Sequence, residues 1–335
     1  MTTIVFTYLF LGGVKLSVEK LSDLLAVSLK KEASDIFLLP EANHYVIKLS
    51  IAGRIHFFER IEQALGTQII NNLKYQANMM LSEHRRPQTG ALLIATHVYG
   101  RISSVGDFTG RESLVLRLIY EKKIAGRYFF PEQYQKIVTG VQKKGLILLA
   151  GPVGAGKTST MYHVARQLQQ QVMCIEDPVE IYEPAFLQLQ VNERAQMTYA
   201  RLIKAALRHR PDLFIIGEIR DEETATNVIN AALSGHSVIS TVHAVNVYGV
   251  IRRLLALGVN LEDLAQTLKL VCYQRMLPVV TGGNKVLFDQ FPFSISEFIE
   301  HNGSQEMTEK WREDLEECLA KKWITRQTFQ RYVEG

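Results

Sequence analysis

The stretch from residue 145 to residue 168, GLILLAGPVGAGKTSTMYHVARQL, is an apolar run that breaks into glycines and then into a helical pattern. Its centre fits the pattern G-x-x-x-x-G-K-[ST], with Gly151, Gly156, Lys157 and Thr158 at the fixed positions. Because the pattern lies between a predicted strand and a predicted helix, it has the context that a phosphate-binding loop requires. The sequence therefore predicts nucleotide binding here, and a glycine-rich turn without a ligand is the weaker alternative.

The residue types of this loop explain the chemistry that we expect from it. Glycines let successive backbone N–H groups face inward, and the helix that follows adds about half a positive charge at its N-terminus. Lys157 would bring a mobile charge to the terminal phosphates of a nucleotide, and Thr158 would offer its hydroxyl to Mg²⁺. The loop alone does not identify the reaction, because many NTPases with different activities share it. The predicted ATP-binding residues are Gly151, Pro152, Gly154, Ala155, Gly156, Lys157, Thr158 and Ser159.

Carboxylates and histidines follow three neighbouring predicted strands. Glu176 and Asp177 follow one strand in CIEDPVE, Glu218 follows a second in FIIGE, and His236 and His243 bracket a third in SGHSVISTVHA. Phosphoryl transfer to water needs an oriented water and compensation of spreading charge, so such residues are expected at the carboxyl ends of adjacent strands. For each side chain alone, an exposed loop carboxylate or a structural histidine is the alternative interpretation.

The second of these strands departs from the usual Walker B pattern. Gly217 stands where an aspartate normally ends the strand, and Glu218 follows it. Glu218 is therefore the better candidate for a general base, and Glu176 for holding the water shell of the metal, with the assignment of the base left open between them. His243 is a candidate for contacting the terminal phosphate. The spacing of His236 and His243 is not a zinc pattern, so no metal beyond Mg²⁺ is expected.

Composition favours a globular protein of about two domains. The chain has 335 residues, 47% of them hydrophobic, and a net charge of +4 from 38 basic and 34 acidic residues. This charge is too small and too dispersed to indicate direct DNA binding. The sequence contains no CxxC pair among its three cysteines, Cys174, Cys272 and Cys318. It therefore predicts neither a disulfide framework nor a four-ligand zinc site, which fits a reducing cytoplasm. The apolar segment from Ile4 to Leu11 is too short for a spanning helix.

The order of predicted elements indicates an α/β protein. We expect an extension of unknown role at 1–14, an α+β domain at 15–120, a linker at 121–131, an ATPase domain at 132–282 and a helical appendix at 283–335. Short apolar strands alternate with helices after the linker, which argues for a largely parallel sheet covered on both faces. A helix is also expected from Leu261 to Leu277.

Four segments in this order resemble the secretion ATPases of the type II/type IV pilus superfamily. They are GPVGAGKTST, IEDPVE, PDLFIIGEIRDEETA, which contains Arg220, and SGHSVISTVHA, and the similarity covers roughly residues 33 to 280. The resemblance implies an ATP- and Mg²⁺-dependent ring hexamer with a RecA-like P-loop NTPase core and a smaller PAS-like N-terminal domain. It also implies a position at the cytoplasmic face of the membrane, docked on an inner-membrane pilus platform protein.

Within that superfamily, GRISSVGDFTGRESLVLRLIY looks most like the competence pseudopilus assembly ATPase of Gram-positive bacteria. The resemblance implies that Arg101 and Arg117 reach the phosphates bound to a neighbouring subunit; surface arginines of a strand are the alternative. The chain lacks the tetracysteine zinc module of larger assembly and secretion ATPases, which fits a short competence-type motor and argues against a full-length general secretion ATPase. It also lacks the AIRNLIRE-like signature of retraction motors, which favours pilus assembly. An ATP-ordered scaffold with little turnover, a retraction motor and a nucleic-acid translocase remain the alternatives.

Overall fold

The computed structural model describes residues 15–120, 128–192, 195–301 and 304–335. The predicted extension at 1–14, and residues 121–127 of the predicted linker, lie outside these ranges. The chain divides into two compact units, Met1–Lys122 and Lys123–Gly335. Each described helix is too short or too polar to cross a membrane.

The first unit contains one antiparallel sheet of six strands in the order β3-β2-β1-β6-β5-β4. Its helices pack on one face of this sheet, where apolar residues from α1 and α2 meet the inward residues of the strands. Side chains alternate between the faces of a strand, so Ile36 is buried while its neighbour Asp35 lies on the opposite face. The elements are α1 (Lys15–Lys30), β1 (Asp35–Glu41), β2 (His44–Ile51), β3 (Arg54–Glu62), α2 (Gln63–Gln76), β4 (Gln88–Ala95), β5 (Val98–Gly106) and β6 (Glu112–Tyr120).

The second unit contains a sheet of seven strands in the order β13-β12-β7-β11-β10-β8-β9. All neighbours in this sheet are parallel except β12 and β13. The elements are α3 (Pro131–Gln142), β7 (Gly145–Ala150), α4 (Lys157–Leu168), β8 (Val172–Glu176), β9 (Leu187–Gln190), α5 (Tyr199–Ala206), β10 (Leu213–Ile216), α6 (Glu222–Leu233), β11 (Ser237–Thr241), α7 (Val247–Ala256), α8 (Leu261–Thr267), β12 (Leu268–Pro278), β13 (Asn284–Pro292), α9 (Ile295–Glu300), α10 (Glu309–Ala320) and α11 (Arg326–Tyr332).

Helices cover both faces of this second sheet, which confirms the predicted α/β class. Leu146 and Leu148 of β7 belong to the core shared with α5, α6 and α7, whereas Ile147 and Leu149 belong to the core shared with α3 and α4. A strand buried on both faces has to be apolar throughout, and each fully buried side chain of this size contributes about 2 kcal/mol. This requirement explains the run LILLA that precedes the glycine-rich loop.

Two expectations about the end of the chain are wrong. The helix expected from Leu261 to Leu277 ends at Thr267, and the remainder forms β12, which pairs with β7. The helical appendix expected from residue 283 begins instead with β13, which pairs antiparallel with β12. The segment LKLVCYQRML is an apolar run interrupted by Lys269, Gln274 and Arg275, which is compatible with either a strand or a helix, and here pairing with β7 decides the outcome.

The rest of the C-terminal segment is helical, as expected. Trp311, Leu315 and Cys318 lie on one side of α10 and are fully buried in a separate apolar cluster. The spacing of three to four residues places them on the same face of the helix. The charged residues of EKWREDLEECLAKKW therefore surround a row of three buried side chains on one face of α10.

Candidate functional site

The glycine-rich loop joins the end of β7 to the start of α4. Gly151, Gly154 and Gly156 have φ values of 139°, 81° and 84°, which residues with a Cβ rarely adopt. A Cβ on Gly151 would lie 2.3 Å from the carbonyl oxygen of Gln274 on β12, so glycine is required there for space as well. The first N–H groups of α4 have no acceptor within the helix, because an α-helix leaves its first turn unpaired. The loop thus offers phosphate oxygens both space and donors.

Lys157 lies within this loop. Its Nζ donates to the carbonyl oxygens of Gly151 at 2.8 Å and Pro152 at 3.1 Å. Burial lowers the pKa of Lys157, while the charges of Glu218 and Glu180 raise it. The two carboxylates favour the charged form of Lys157, and a partly desolvated ammonium is suited to bind the phosphates of a nucleotide.

The remaining predicted loop residues occupy the same turn. Ala155 is buried and its N–H donates to the carbonyl oxygen of Pro152 at 3.2 Å. Gln274 of β12 holds the loop from behind, since its Nε2 donates to the carbonyl oxygen of Ala155 at 2.6 Å. Gln274 is a residue that sequence reasoning missed. Gly151, Pro152, Gly154, Ala155, Gly156, Lys157, Thr158 and Ser159 are therefore contiguous in space as well as in sequence.

Thr158 contacts a carboxylate that sequence reasoning also missed. Its hydroxyl donates to Oε2 of Glu180 at 3.1 Å. A hydroxyl oxygen and a carboxylate oxygen are suitable ligand atoms for Mg²⁺. This ion usually keeps several waters and takes few protein ligands. In the described ranges, no group of three or more His, Cys, Asp or Glu side chains converges as a metal site. Thr158 and Glu180 are therefore the side chains that could bind a Mg²⁺ together with phosphate oxygens and water.

Glu176 has different surroundings from those expected of a metal-binding carboxylate. It is 3% exposed at the end of β8, and the hydroxyl of Tyr162 on α4 donates to its Oε1. The same hydroxyl accepts a bond of 2.6 Å from Nε2 of Gln188. Burial raises the pKa of Glu176 to about 7, the bond from Tyr162 lowers it, and the charge of Glu180 raises it. The Glu176 carboxyl thus connects β8 to α4, the helix that follows the glycine-rich loop.

Glu218 is the centre of a connected group of side chains. Its Oε2 lies 3.2 Å from Nε2 of His243, and its Oε1 accepts from the guanidinium of Arg220. Nη1 of Arg220 also lies 3.6 Å from Oδ2 of Asp177. Glu218 follows β10, His243 follows β11 and Asp177 follows β8, so the parallel strands bring three separate segments to one edge of the sheet.

Gly217 occupies a position with little space for a side chain. A Cβ there would lie 3.2 Å from the hydroxyl oxygen of Tyr199, 3.3 Å from Cα of Glu176 and 3.4 Å from Cγ of Glu176. Tyr199 begins α5, and its nearest charged groups include Asp177, Glu218 and Arg220. The departure from the usual Walker B pattern thus coincides with a position where an added side chain would crowd Tyr199 and Glu176.

His236 lies apart from this group. It precedes β11 at the amino end of the strand, whereas His243 follows the carboxyl end. Its Nδ1 is 3.3 Å from the carbonyl oxygen of Ala231, and its ring packs edge-on against Phe214. A strand rises about 3.3 Å per residue, so the length of β11 separates His236 from the nucleotide loop.

Arg101 and Arg117 belong to the first unit, where they are direct partners on β5 and β6. Nε of Arg117 donates to Oδ1 of Asp35 on β1 at 2.8 Å. All three side chains line one cavity on the face of the sheet opposite the helices. The structure thus brings the two predicted arginines together and adds an acidic partner.

Comparisons with known proteins agree with these features. Over 301 residues the chain is 40% identical to the competence protein ComGA of Streptococcus pneumoniae, a match that covers 88% of this chain and 92% of the relative. Over 266 residues it is 36% identical to the competence protein ComGA of Halalkalibacterium halodurans, with 76% of each chain covered.

The fold is also similar to the solved structure of the pilus retraction motor PilT with bound ADP. The TM-score is 0.74 at 21% identity, over 92% of this chain and 96% of that one. At this identity the likeness shows the fold alone. The family described as type II/IV secretion system protein matches residues 15–328. The chain therefore belongs to the type II/IV secretion system protein family.

Proposed function

We propose that the chain is an ATP-hydrolysing motor that assembles a competence pilus or pseudopilus for DNA uptake. The observation that carries the enzymatic part is Glu218, held between His243 and Arg220 at the sheet edge that also presents Lys157. The similarity to the ComGA competence proteins supports the role in DNA uptake.

Each residue of the site has its own proposed role in ATP hydrolysis. ATP with Mg²⁺, when bound, supplies the phosphoanhydride bond whose cleavage drives movement. Lys157 and the N–H groups of the loop would bind the phosphates, and Thr158 and Glu180 would hold the metal and its water shell. Glu218 orients the attacking water and accepts its proton, and His243 and Arg220 fix the orientation of that carboxylate.

Glu176 takes a positioning role in this proposal, because it is buried and bonded to Tyr162. Glu218 is left as the base, since its side chain is 18% exposed and can meet a water. His236 stabilises the amino end of β11 and has no part in the reaction.

We further propose the assembly that the family resemblance implies. Residues 132–282, together with the strand β13 (Asn284–Pro292) that continues their sheet, would form a RecA-like core, and residues 15–120 a PAS-like domain, in a ring of six chains. Arg101 and Arg117 of one chain would then compensate the charge that develops on phosphates bound to its neighbour, an effect worth roughly 10³ to 10⁵ in rate for arginine fingers. The ring would act at the cytoplasmic face of the membrane on a pilus platform protein.

Replacing Lys157 in cells tests the biological role. In a naturally transformable host, Lys157→Ala in place of the native copy should abolish DNA uptake, whereas Lys143→Ala should leave it unchanged. Lys143 is an exposed lysine at the amino end of β7, away from the loop. Undiminished uptake with Lys157→Ala would contradict the proposal.

The alternatives predict other outcomes. An ATP-ordered scaffold would bind nucleotide and form rings but release almost no phosphate. A retraction motor would allow filaments to form in its absence; the observation that favours it is the PilT likeness, which concerns the fold alone. A translocase would bind DNA in a salt-sensitive manner.

A further inference from the structure

Three charged side chains form a row across the open face of the N-terminal sheet. The register pairs Asp35 with Arg117 between β1 and β6, and Arg117 with Arg101 between β6 and β5. Directly opposed side chains on adjacent antiparallel strands lie about 5 Å apart at Cβ, so like charges there repel each other. Two arginines side by side thus attract an anion, and one carboxylate compensates part of their repulsion.

Asp35 is held more firmly than a surface carboxylate. Its side chain is 12% exposed, against 62% for Arg117. One carboxylate oxygen accepts from Nε of Arg117, and the other accepts from the hydroxyl of Ser34 at 2.8 Å. Ser34 is fixed in turn, because its N–H donates to the carbonyl oxygen of Ser50 at 2.8 Å. Asp35 therefore has a defined orientation before any ligand is present.

The bond to Asp35 uses the side nitrogen of the guanidinium, Nε. A guanidinium carries five N–H donors in a planar fork, so an acceptor at Nε leaves the terminal amino groups for a second, bidentate anion. The cavity at this row, about 170 Å³ in volume, is lined by Asp35, Arg101, Ser103, Val115 and Arg117. An incoming phosphate would meet Arg117 already oriented by a fixed carboxylate.

We propose that Asp35 is a positioning residue which orients Arg117 toward the phosphates of ATP. This inference rests on the proposed function, since Arg117 acts on phosphate only in that context. The carboxylate acts through Arg117 and does not touch the nucleotide. Without the charge of Asp35, the guanidinium of Arg117 could adopt other rotamers. A misplaced guanidinium would stabilise the transition state less, so kcat should fall more than the affinity for ATP.

A double-mutant cycle in the full chain tests this inference. Steady-state phosphate release is measured for the wild type, Asp35→Asn, Arg117→Lys and the double variant. Asp35→Asn should lower kcat about tenfold and change KM by less than about twofold. In the Arg117→Lys background, the same substitution should change kcat by less than about twofold, because the planar guanidinium that Asp35 orients is already absent. Glu41→Gln, which removes the carboxylate from an exposed 2.8 Å pair with Arg60 in the same unit, should leave kcat unchanged.

Two kinetic results would overturn the inference: an unchanged kcat for Asp35→Asn, or equal effects of this substitution in both backgrounds. If the wild type released no phosphate at all, the proposed function would fail, and the melting temperatures of the same four proteins would still test the pair. Losses in Tm that fall short of additivity would support an Asp35–Arg117 coupling, whereas additive losses would refute it.

Discussion

Nε2 of His243 lies 3.2 Å from one carboxylate oxygen of Glu218, while the guanidinium of Arg220 bonds the other oxygen. The two partners follow different strands, so only the folded sheet brings them together. A carboxylate with both oxygens engaged has a fixed orientation, which is what a water-positioning base requires.

Glu218→Gln should lower kcat for ATP hydrolysis by about 10² or more, because the amide keeps the shape but cannot accept the proton. Binding of an ATP analogue should stay within about threefold of the wild type, since Lys157 and the loop are unchanged. Steady-state phosphate release and analogue titration measure the two effects. Glu223→Gln, an exposed site in the first turn of α6, is the matched control. Full turnover by Glu218→Gln would exclude Glu218 as the base.

Glu180→Gln should raise the Mg²⁺ concentration needed for half-maximal phosphate release by about tenfold, as loss of an outer ligand partner does at other metal sites. The physical reason is the 3.1 Å contact between this carboxylate and the Thr158 hydroxyl. Thr158→Ala should shift the same curve in the same direction. The exposed Glu132 at the start of α3 supplies the control, as Glu132→Gln. An unaltered Mg²⁺ dependence would remove Glu180 from the site.

Gly217→Ala should destabilise the fold by about 1 kcal/mol, because the added Cβ approaches the Tyr199 hydroxyl oxygen to 3.2 Å. Tyr199→Phe removes that oxygen, so the double variant should recover part of the loss. Denaturant unfolding of the four proteins measures the difference. A loss of equal size with and without the Tyr199 hydroxyl would show that another contact is responsible.

Glu176 should make stability depend on pH in a defined window. Burial raises its pKa to about 7 from an ordinary value of 4.5, so the folded state binds more protons than the unfolded chain between these values. The free energy of unfolding contributed by this group is full below pH 4.5 and falls as pH rises to about 7, by roughly 3 kcal/mol at most.

Glu176→Gln removes this titration and keeps an acceptor for Tyr162. Relative to the wild type, the variant should therefore gain stability as pH rises from 4.5 to 7, as measured by urea unfolding across that range. The exposed Glu316 on α10 provides the control substitution, Glu316→Gln. Parallel stability curves for wild type and Glu176→Gln would show that the carboxyl does not titrate in this window.

The sequence predicted those parts of the site that depend on local chemistry. The loop around Lys157 needs glycines and a following helix, and these are visible as residues in order. The gathering of Asp177, Glu218 and His243 followed from one topological rule, that parallel strands end at the same edge. Glu180 could also have been found, because it lies in the same CIEDPVE segment as Glu176.

The parts that could not be predicted depend on long-range packing. Burial of Glu176 and its bond to Tyr162 depend on how α4 packs on β8, which no local pattern encodes. The sequence pattern of β12 predicts a helix, because an apolar run interrupted by a few polar residues fits either element until its neighbour β7 is known. The contact between Asp35 and Arg117 spans 82 positions and depends on the register of the sheet.

Phosphate release from MgATP by the purified chain, compared between wild type and Lys157→Ala, is the most direct test of an ATP-hydrolysing motor. Our account predicts steady turnover that requires Mg²⁺ and is lost in Lys157→Ala, while Lys143→Ala behaves like the wild type. No phosphate release by ring-forming protein, or release that Lys157→Ala leaves undiminished, would contradict it.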